Sequence, residues 1–147
     1  MTKEPVIILA EDDAGHAGLI INSLKRSGIT NTLLHFEDGE DTLNFLFRRG
    51  DGPHREDGVS YILLLDIRMP VIDGIEVMRQ VKQDEELSEI PIIMVTTTED
   101  PVEMARCWNL GCHNYFVKPV GFEKFSQTME QLGKYINDVI IPEIANQ

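Results

Sequence analysis

The chain is predicted to be an α/β protein, a parallel five-stranded sheet wound on both faces by helices. Two observations carry that prediction. Five short apolar segments recur along the chain, and stretches with helically spaced apolar residues lie between them, the alternation that builds βαβ units. The segments Val6 to Ala10 and Tyr61 to Leu65 are apolar throughout, which suits strands buried on both faces. With 147 residues and 42% hydrophobic content, there is material for one ordinary core, and residues 1–147 are expected to form a single domain.

The elements follow in order. Val6 to Ala10 is the first strand and ends in Glu11-Asp12-Asp13. Ala17, Ile20, Ile21 and Leu24 recur at helical intervals, and Gly28 is placed to end that first helix in a left-handed conformation. The second strand is Thr32 to Phe36, and the second helix follows Asp38-Gly39 with Leu43, Leu46 and Phe47. Arg48 to Gly58 is polar and rich in turn formers, the composition of a mobile surface loop. Tyr61 to Leu65 is the third strand, ending in Asp66, and the third helix follows Asp73-Gly74 with Val77, Met78 and Val81 on one face. Pro91 restricts the approach to the fourth strand, Ile92 to Val95. Pro101 suits a first helical turn and Gly111 suits an end, which brackets the fourth helix at about Pro101 to Leu110. Tyr115 to Val117 is the fifth strand. Phe125, Met129, Leu132, Ile136 and Val139 form the stripe of the fifth helix, and apolar residues continue into Ile140-Ile141-Pro142. Exposed there, they would seek a partner surface.

Charge and cysteine content exclude several functions. A formal net charge of −12 repels phosphate backbones and argues against nucleic-acid binding. The start, Met1-Thr2-Lys3-Glu4-Pro5, lacks the apolar core of a signal peptide, and no stretch approaches the roughly 20 apolar residues that span a bilayer. The expected location is cytoplasmic, with no membrane partner. Cys107 and Cys112, with the scattered histidines, form no metal-binding pattern, so both are expected to be buried, inert thiols.

The chemistry gathers at the strand ends, where open parallel sheets place their sites. Glu11, Asp12 and Asp66 offer hard oxygen ligands of the kind that suit Mg²⁺. A carboxylate such as Asp66 can also attack phosphorus to give an aspartyl phosphate, with a cation offsetting the repulsion between the two anions. Lys118 follows the fifth strand and could neutralise phosphoryl oxygens, and Thr96, ending the fourth, could donate a hydroxyl hydrogen bond to one. Neighbouring Thr97 is small enough to keep the pocket open. Each motif alone has a plain structural explanation, such as helix capping or a loop Lys-Pro; their joint placement at the ends of strands one, three, four and five gives the pattern its specificity.

The set resembles the receiver domain of two-component response regulators. Glu11-Asp12, Asp66 followed by Met69-Pro70 and Asp73-Gly74, Thr96, and Tyr115 three residues before Lys118-Pro119 carry the resemblance, which covers about Pro5 to Tyr135. It implies a flavodoxin-like fold with strand order 2-1-3-4-5 and five helices, a core over about 5–137 and a C-terminal extension over about 138–147. It further implies that Asp66 accepts a phosphoryl group from a sensor histidine kinase with Mg²⁺. Asp12 would bind the metal directly, Glu11 through water, and Arg68 through its backbone carbonyl. Thr96 and Tyr115 would form the switch, read out on the fourth helix, fifth strand and fifth helix. Arg68 and Thr98, two residues beyond Asp66 and Thr96, would set the lifetime of the phosphorylated form. His16 is expected to be an ordinary surface residue and Trp108 to pack in the core.

The long connection after the second helix and the Ile-Pro tail further resemble the single-domain regulators that partner bacterial and cyanobacterial phytochromes. That resemblance implies a phytochrome as the kinase and a homodimer formed through Phe125, Met129, Ile136, Val139, Ile140 and Ile141. Two other classes compete. A haloacid-dehalogenase-type phosphatase would need a general acid two residues after the nucleophile, where Arg68 stands and cannot donate a proton near neutral pH. A receiver-like interaction module that works without phosphate would not need every chemical position filled, as it is here.

Overall fold

Side chains alternate across a strand, and that alternation sorts the apolar residues of this chain into two layers. The computed structural model describes residues 4–147; Met1 to Lys3, part of the start read as lacking a signal peptide, lie outside the described residues. The strands are β1 (Val6–Ala10), β2 (Leu33–Phe36), β3 (Tyr61–Leu65), β4 (Ile92–Thr96) and β5 (Asn114–Val117). All pairings are parallel, in the order β2-β1-β3-β4-β5, as the flavodoxin-like expectation requires. The helices are α1 (Ala14–Arg26), α2 (Gly39–Phe47), α3 (Gly74–Gln83), α4 (Pro101–Leu110) and α5 (Phe122–Tyr135).

Ile8, Ala10, Leu63, Leu65 and Met94 face one way and pack with Leu43 and Leu46 of α2, Val77 and Met78 of α3, and Cys107 of α4. Ile7, Leu9, Ile62, Leu64 and Val95 face the other way, onto Ala17, Ile20 and Leu24 of α1 and Phe125, Met129 and Leu132 of α5. Every residue of β3 and β4 is buried, which explains the unbroken apolar runs. Each such side chain contributes roughly 1.5–3 kcal/mol of transfer free energy.

Four helices start on an aspartate. Asp13, Asp38, Asp73 and Asp100 accept backbone N–H bonds from His16, Asp41, Glu76 and Val102 at 2.9, 2.7, 2.9 and 3.1 Å, satisfying donors that a helix start leaves open. Several acidic residues of this negatively charged chain are therefore caps, Asp13 among them.

The tail departs from expectation. Helix α5 runs on into a π-helical turn, Ile136–Ile140, and then into α6 (Ile141–Ala145). The Ile141 N–H bonds to the Ile136 carbonyl, five residues back, and this widened turn re-aims the stripe. Ile136 and Ile140 are fully buried, while Val139 is turned outward and 38% exposed. The dimer surface expected from Phe125, Met129, Ile136, Val139, Ile140 and Ile141 is corrected accordingly. Phe125, Met129, Ile136 and Ile140 are enclosed by the chain's own α1 and sheet, and Ile141 packs partly buried against the same cluster. Of the set, Val139 is the most exposed.

The connection expected to be a mobile loop is tethered. Arg55 donates from Nε to the Leu46 carbonyl at 2.6 Å and from Nη2 to Glu86 at 2.6 Å. The Glu56 N–H bonds to the Tyr61 hydroxyl at 2.9 Å, and Arg48 pairs with Asp57. Trp108, expected in the core, is 47% exposed on α4. Among the described residues no helix is long and apolar enough to cross a membrane.

Two outcomes check this packing. Ile140→Ala is expected to cost about 2–5 kcal/mol in denaturant unfolding and Val139→Ala about 0.5 kcal/mol or less, since only the first opens a cavity. Cys107 and Cys112 are free and buried, and burial pushes both thiols up to about 11. At pH 8 both are protonated, so the folded chain is expected to be inert to a thiol-specific disulfide reagent, with both sulfurs titrating once guanidinium unfolds it.

Candidate functional site

Register delivers the charged groups to one edge. Ala10 of β1 pairs with Leu65 of β3, so the next residues, Glu11 and Asp66, leave the sheet side by side. Thr96 of β4 pairs with Val117 of β5, and Lys118 follows at once, its N–H bonded to the Thr96 carbonyl at 2.7 Å. Helix α3 must begin close to this edge. A Cβ built on Gly74 would lie 2.0 Å from the Asp66 carbonyl oxygen, and the Gly74 N–H bonds to the Ile67 carbonyl at 2.8 Å. Between them, Val71 holds φ at 66° and is 89% exposed, an unusual conformation for a β-branched residue that costs about 1–3 kcal/mol.

The Lys118 ammonium is buried between two anions. It donates to Glu11 Oε1 at 2.5 Å and to Asp66 Oδ2 at 3.1 Å, and a third bond, at 3.1 Å, goes to His16 Nδ1. Glu11 Oε2 accepts the Asp13 N–H at 3.1 Å, so both Glu11 oxygens are satisfied. Burial nevertheless raises the Glu11 carboxyl to about 7; the hydrogen bond from Lys118 pulls down against that, and the charge of Asp66 pushes up. Asp66 Oδ1 is a buried acceptor with no partner among the described residues, an arrangement that structures seldom leave without a ligand.

Glu11, Asp12 and Asp66 place one carboxylate oxygen each within 4.8 Å of the others. Three carboxylates against one ammonium leave an excess of two negative charges when all are ionised. The hard donor set, the charge excess and the orphaned Oδ1 together fit a divalent cation. Asp12 is exposed, Glu11 and Asp66 buried, so an ion here would touch both solvent and protein.

The remaining expected residues sort as follows. Thr96 is fully buried, and its hydroxyl oxygen accepts the Thr98 N–H at 3.4 Å. The Tyr115 hydroxyl donates to the Thr98 carbonyl at 2.7 Å. Thr96 and Tyr115 thus meet at Thr98. The Arg68 side chain points to solvent and pairs with Glu103 of α4 at 3.0 Å. Two histidines given no role at the site by the sequence also contact its residues. His35 Nε2 lies 2.7 Å from the Glu11 carbonyl and donates to it, tying the end of β2 to the pocket. His16, expected on the surface without a role, touches Lys118. Its place three residues after the Asp13 cap was the available signal, because that spacing puts it in the first turn of α1 beside the strand ends.

Residues 7–130 match the family model of the response regulator receiver domain. The probable methanogenesis regulatory protein FilR2 of Methanothrix harundinacea (strain 6Ac) is 34% identical over 130 residues, covering 88% of this chain and 82% of that protein. Response regulator Rcp1 of Synechocystis sp. is 30% identical over 113 residues, 77% of this chain and 76% of its own. The crystal structure of the Mn²⁺-bound form of Rcp1 aligns with a TM-score of 0.81 at 25% identity, covering 92% of this chain and 96% of that one. The bacteriophytochrome response regulator RtBRR aligns at 34% identity with a TM-score of 0.74, covering 89% and 79%.

The close approach of α3 gives a direct check on how the pocket is held. Gly74→Ala is expected to destabilise the fold by about 1–3 kcal/mol through overpacking against the Asp66 backbone. It should also shift the backbone amide resonances of Asp66 and Ile67 more than those of β2, read by two-dimensional NMR.

Proposed function

The chain belongs to the response regulator receiver domain family, and on that premise we propose that it is the phosphoacceptor of a two-component system, with Asp66 taking a phosphoryl group from a sensor histidine kinase. The observation that carries the proposal is the state of the Asp66 carboxylate: buried, one oxygen on Lys118 and the other without a partner. In the transfer, an Asp66 oxygen attacks phosphorus and the P–N bond of the kinase phosphohistidine breaks. Its electron pair returns to the imidazole nitrogen, leaving an acyl phosphate on Asp66.

Mg²⁺, when bound, supplies the positive charge that lets the anionic nucleophile and the anionic phosphoryl approach each other. Asp12 and Asp66 would hold it directly, Glu11 through water and Arg68 through its backbone carbonyl, a reading supported by the acidic cluster here and by the existence of a Mn²⁺-bound form of Rcp1. Lys118, bonded to Asp66 Oδ2, would neutralise phosphoryl oxygens. Thr96 gives up Thr98 and turns its hydroxyl to the new dianion, and Tyr115, anchored to the same Thr98, follows. The shift is as large as the difference in contacts that the phosphoryl makes in the two states. The readout face is α4, β5 and α5.

The cognate kinase is proposed to be a phytochrome, supported by the likeness to RtBRR, and the protein is placed in the cytoplasm as one receiver domain. A second copy of the chain is a proposed partner, with contact through Val139 and the outward face of α5. The chain acts as a signalling switch rather than as a turnover enzyme. Arg68, two residues beyond Asp66, is permanently charged and bonded to Glu103, a poor general acid for phosphatase chemistry.

Acetyl phosphate with Mg²⁺ is expected to add one phosphoryl group to the wild-type chain by intact-mass analysis, with no addition to Asp66→Asn or in the presence of EDTA. A wild-type chain left unmodified by both acetyl phosphate and a phosphorylated histidine kinase would overturn the proposal.

A further inference from the structure

Lys118 has three ammonium protons and three partners. Glu11 Oε1 and Asp66 Oδ2 are anions that the pocket requires; the third, His16 Nδ1 at 3.1 Å, is not. A lysine ammonium has no lone pair to offer, so the contact is a hydrogen bond only if Nδ1 is bare and the ring proton sits on Nε2. From this geometry we infer that His16 is a positioning residue for phosphoryl transfer: it anchors the third N–H of Lys118 and so fixes where the ammonium meets Asp66 and an incoming phosphoryl oxygen. The inference rests on the phosphoacceptor reading and assigns a new residue within it.

The ring is held for that task. The His16 backbone N–H bonds to the Asp13 side chain at 2.9 Å, setting its place in the first turn of α1. The imidazole packs against Phe125 of α5, ring centroids 5.8 Å apart and planes tilted by 33°, and Phe125 is itself buried. On its outer side His16 lines a cleft of about 530 Å³ together with Leu19, Thr97, Lys118 and Phe122. Lys118 lines this cleft beside His16, so the cleft is where water would reach the ammonium.

Removing the Nδ1 acceptor has a definite consequence. Glu11, at 2.5 Å, is already the nearest partner of Lys118, and Asp66, at 3.1 Å, the farther anion. Without the lateral tether the ammonium drifts toward Glu11, and water from the cleft takes the open proton. The charge then sits farther from the phosphoryl oxygens at the moment of transfer, where position counts most.

The test compares His16→Phe, His16→Leu and His16→Asn for phosphorylation by saturating acetyl phosphate with Mg²⁺. Phe keeps the contact with Phe125 and lacks the acceptor; Leu lacks it as well and replaces Phe if that variant fails to fold; Asn sets a side-chain oxygen close to where Nδ1 stood. His16→Phe or His16→Leu is expected to phosphorylate about ten-fold more slowly, the worth of one charge-assisted hydrogen bond. The half-saturating donor concentration should stay unchanged, and His16→Asn should recover to within about three-fold of wild type. A folded acceptorless variant at the wild-type rate, or His16→Asn as slow as its acceptorless counterpart, would refute the role of His16. If the wild-type chain itself takes no phosphoryl group, the phosphoacceptor reading fails instead, so the two failures are distinguishable.

Discussion

One ammonium, buried at the end of the sheet and shared between two carboxylates, is the constraint around which the rest is arranged. The Lys118 side chain is 2% exposed, and those of its partners Glu11 and Asp66 are 1% and 7% exposed. Taking such charges out of water costs several kcal/mol per ion, and close pairing offsets that cost only when the remaining donors and acceptors are also filled. Here they are filled with one exception. Lys118 uses all three protons and Glu11 both oxygens, whereas Asp66 keeps Oδ1 free. The pocket is therefore finished everywhere except at one carboxylate oxygen, and its excess negative charge suits a divalent cation.

The fold serves that arrangement through register and close approach. Parallel strands in register end level with one another, so residues one step past the last pair emerge together; β1 and β3 thereby bring Glu11 and Asp66 side by side although the sequence separates them widely. Lys118 arrives from β5 two strands away, long enough to reach across β4, where Thr96 stays short and buried. Helix α3 starts against the Asp66 carbonyl because Gly74 has no Cβ to prevent it. The same loop carries the strained Val71, so backbone strain and the acceptor residue share one short segment, the placement expected where structure is held for function.

Much of this was legible in the sequence because the relevant signals are periodic or terminal. Apolar runs at every position announced central strands, and the residues ending them announced the site; Glu11, Asp12, Asp66 and Lys118 all lie where the strand ends predicted. What the sequence hid depends on packing between elements distant along the chain. Ile140 looked stranded beyond the stripe of the fifth helix, and the π-helical turn after Ile136 that turns Ile140 inward and Val139 outward has no local signature. Arg55 looked like part of a free loop, since its carbonyl partner on Leu46 and its carboxylate partner on Glu86 are set by the tertiary fold. The role of His16 was hidden for the same reason: its place in the first helical turn sets it near the acidic strand ends, and only the arrival of β5 says that an ammonium stands there.

A pocket that changes charge needs a route to the surface, and hydrogen bonds supply one made of few parts. Thr96 accepts from the Thr98 N–H, and the Tyr115 hydroxyl donates to the Thr98 carbonyl, so the loop residue after β4 is held from both sides by the two residues expected to move. Arg68, beside the acceptor, reaches Glu103 in the first turn of α4. The start of α4 is thus connected to the pocket by two independent contacts, one through Thr98 and one through Arg68, while the exposed Val102 and Trp108 lie on the same helix. A dianion on Asp66 would accept the Thr96 O–H, turning that hydroxyl away from the Thr98 N–H, and would attract Arg68 away from Glu103. Both pulls weaken what fixes the start of α4, and neither acts on α2, whose Asp38 cap follows the edge strand β2. The asymmetry of those contacts is the physical reason why one face of the molecule, and not the opposite one, would carry the signal.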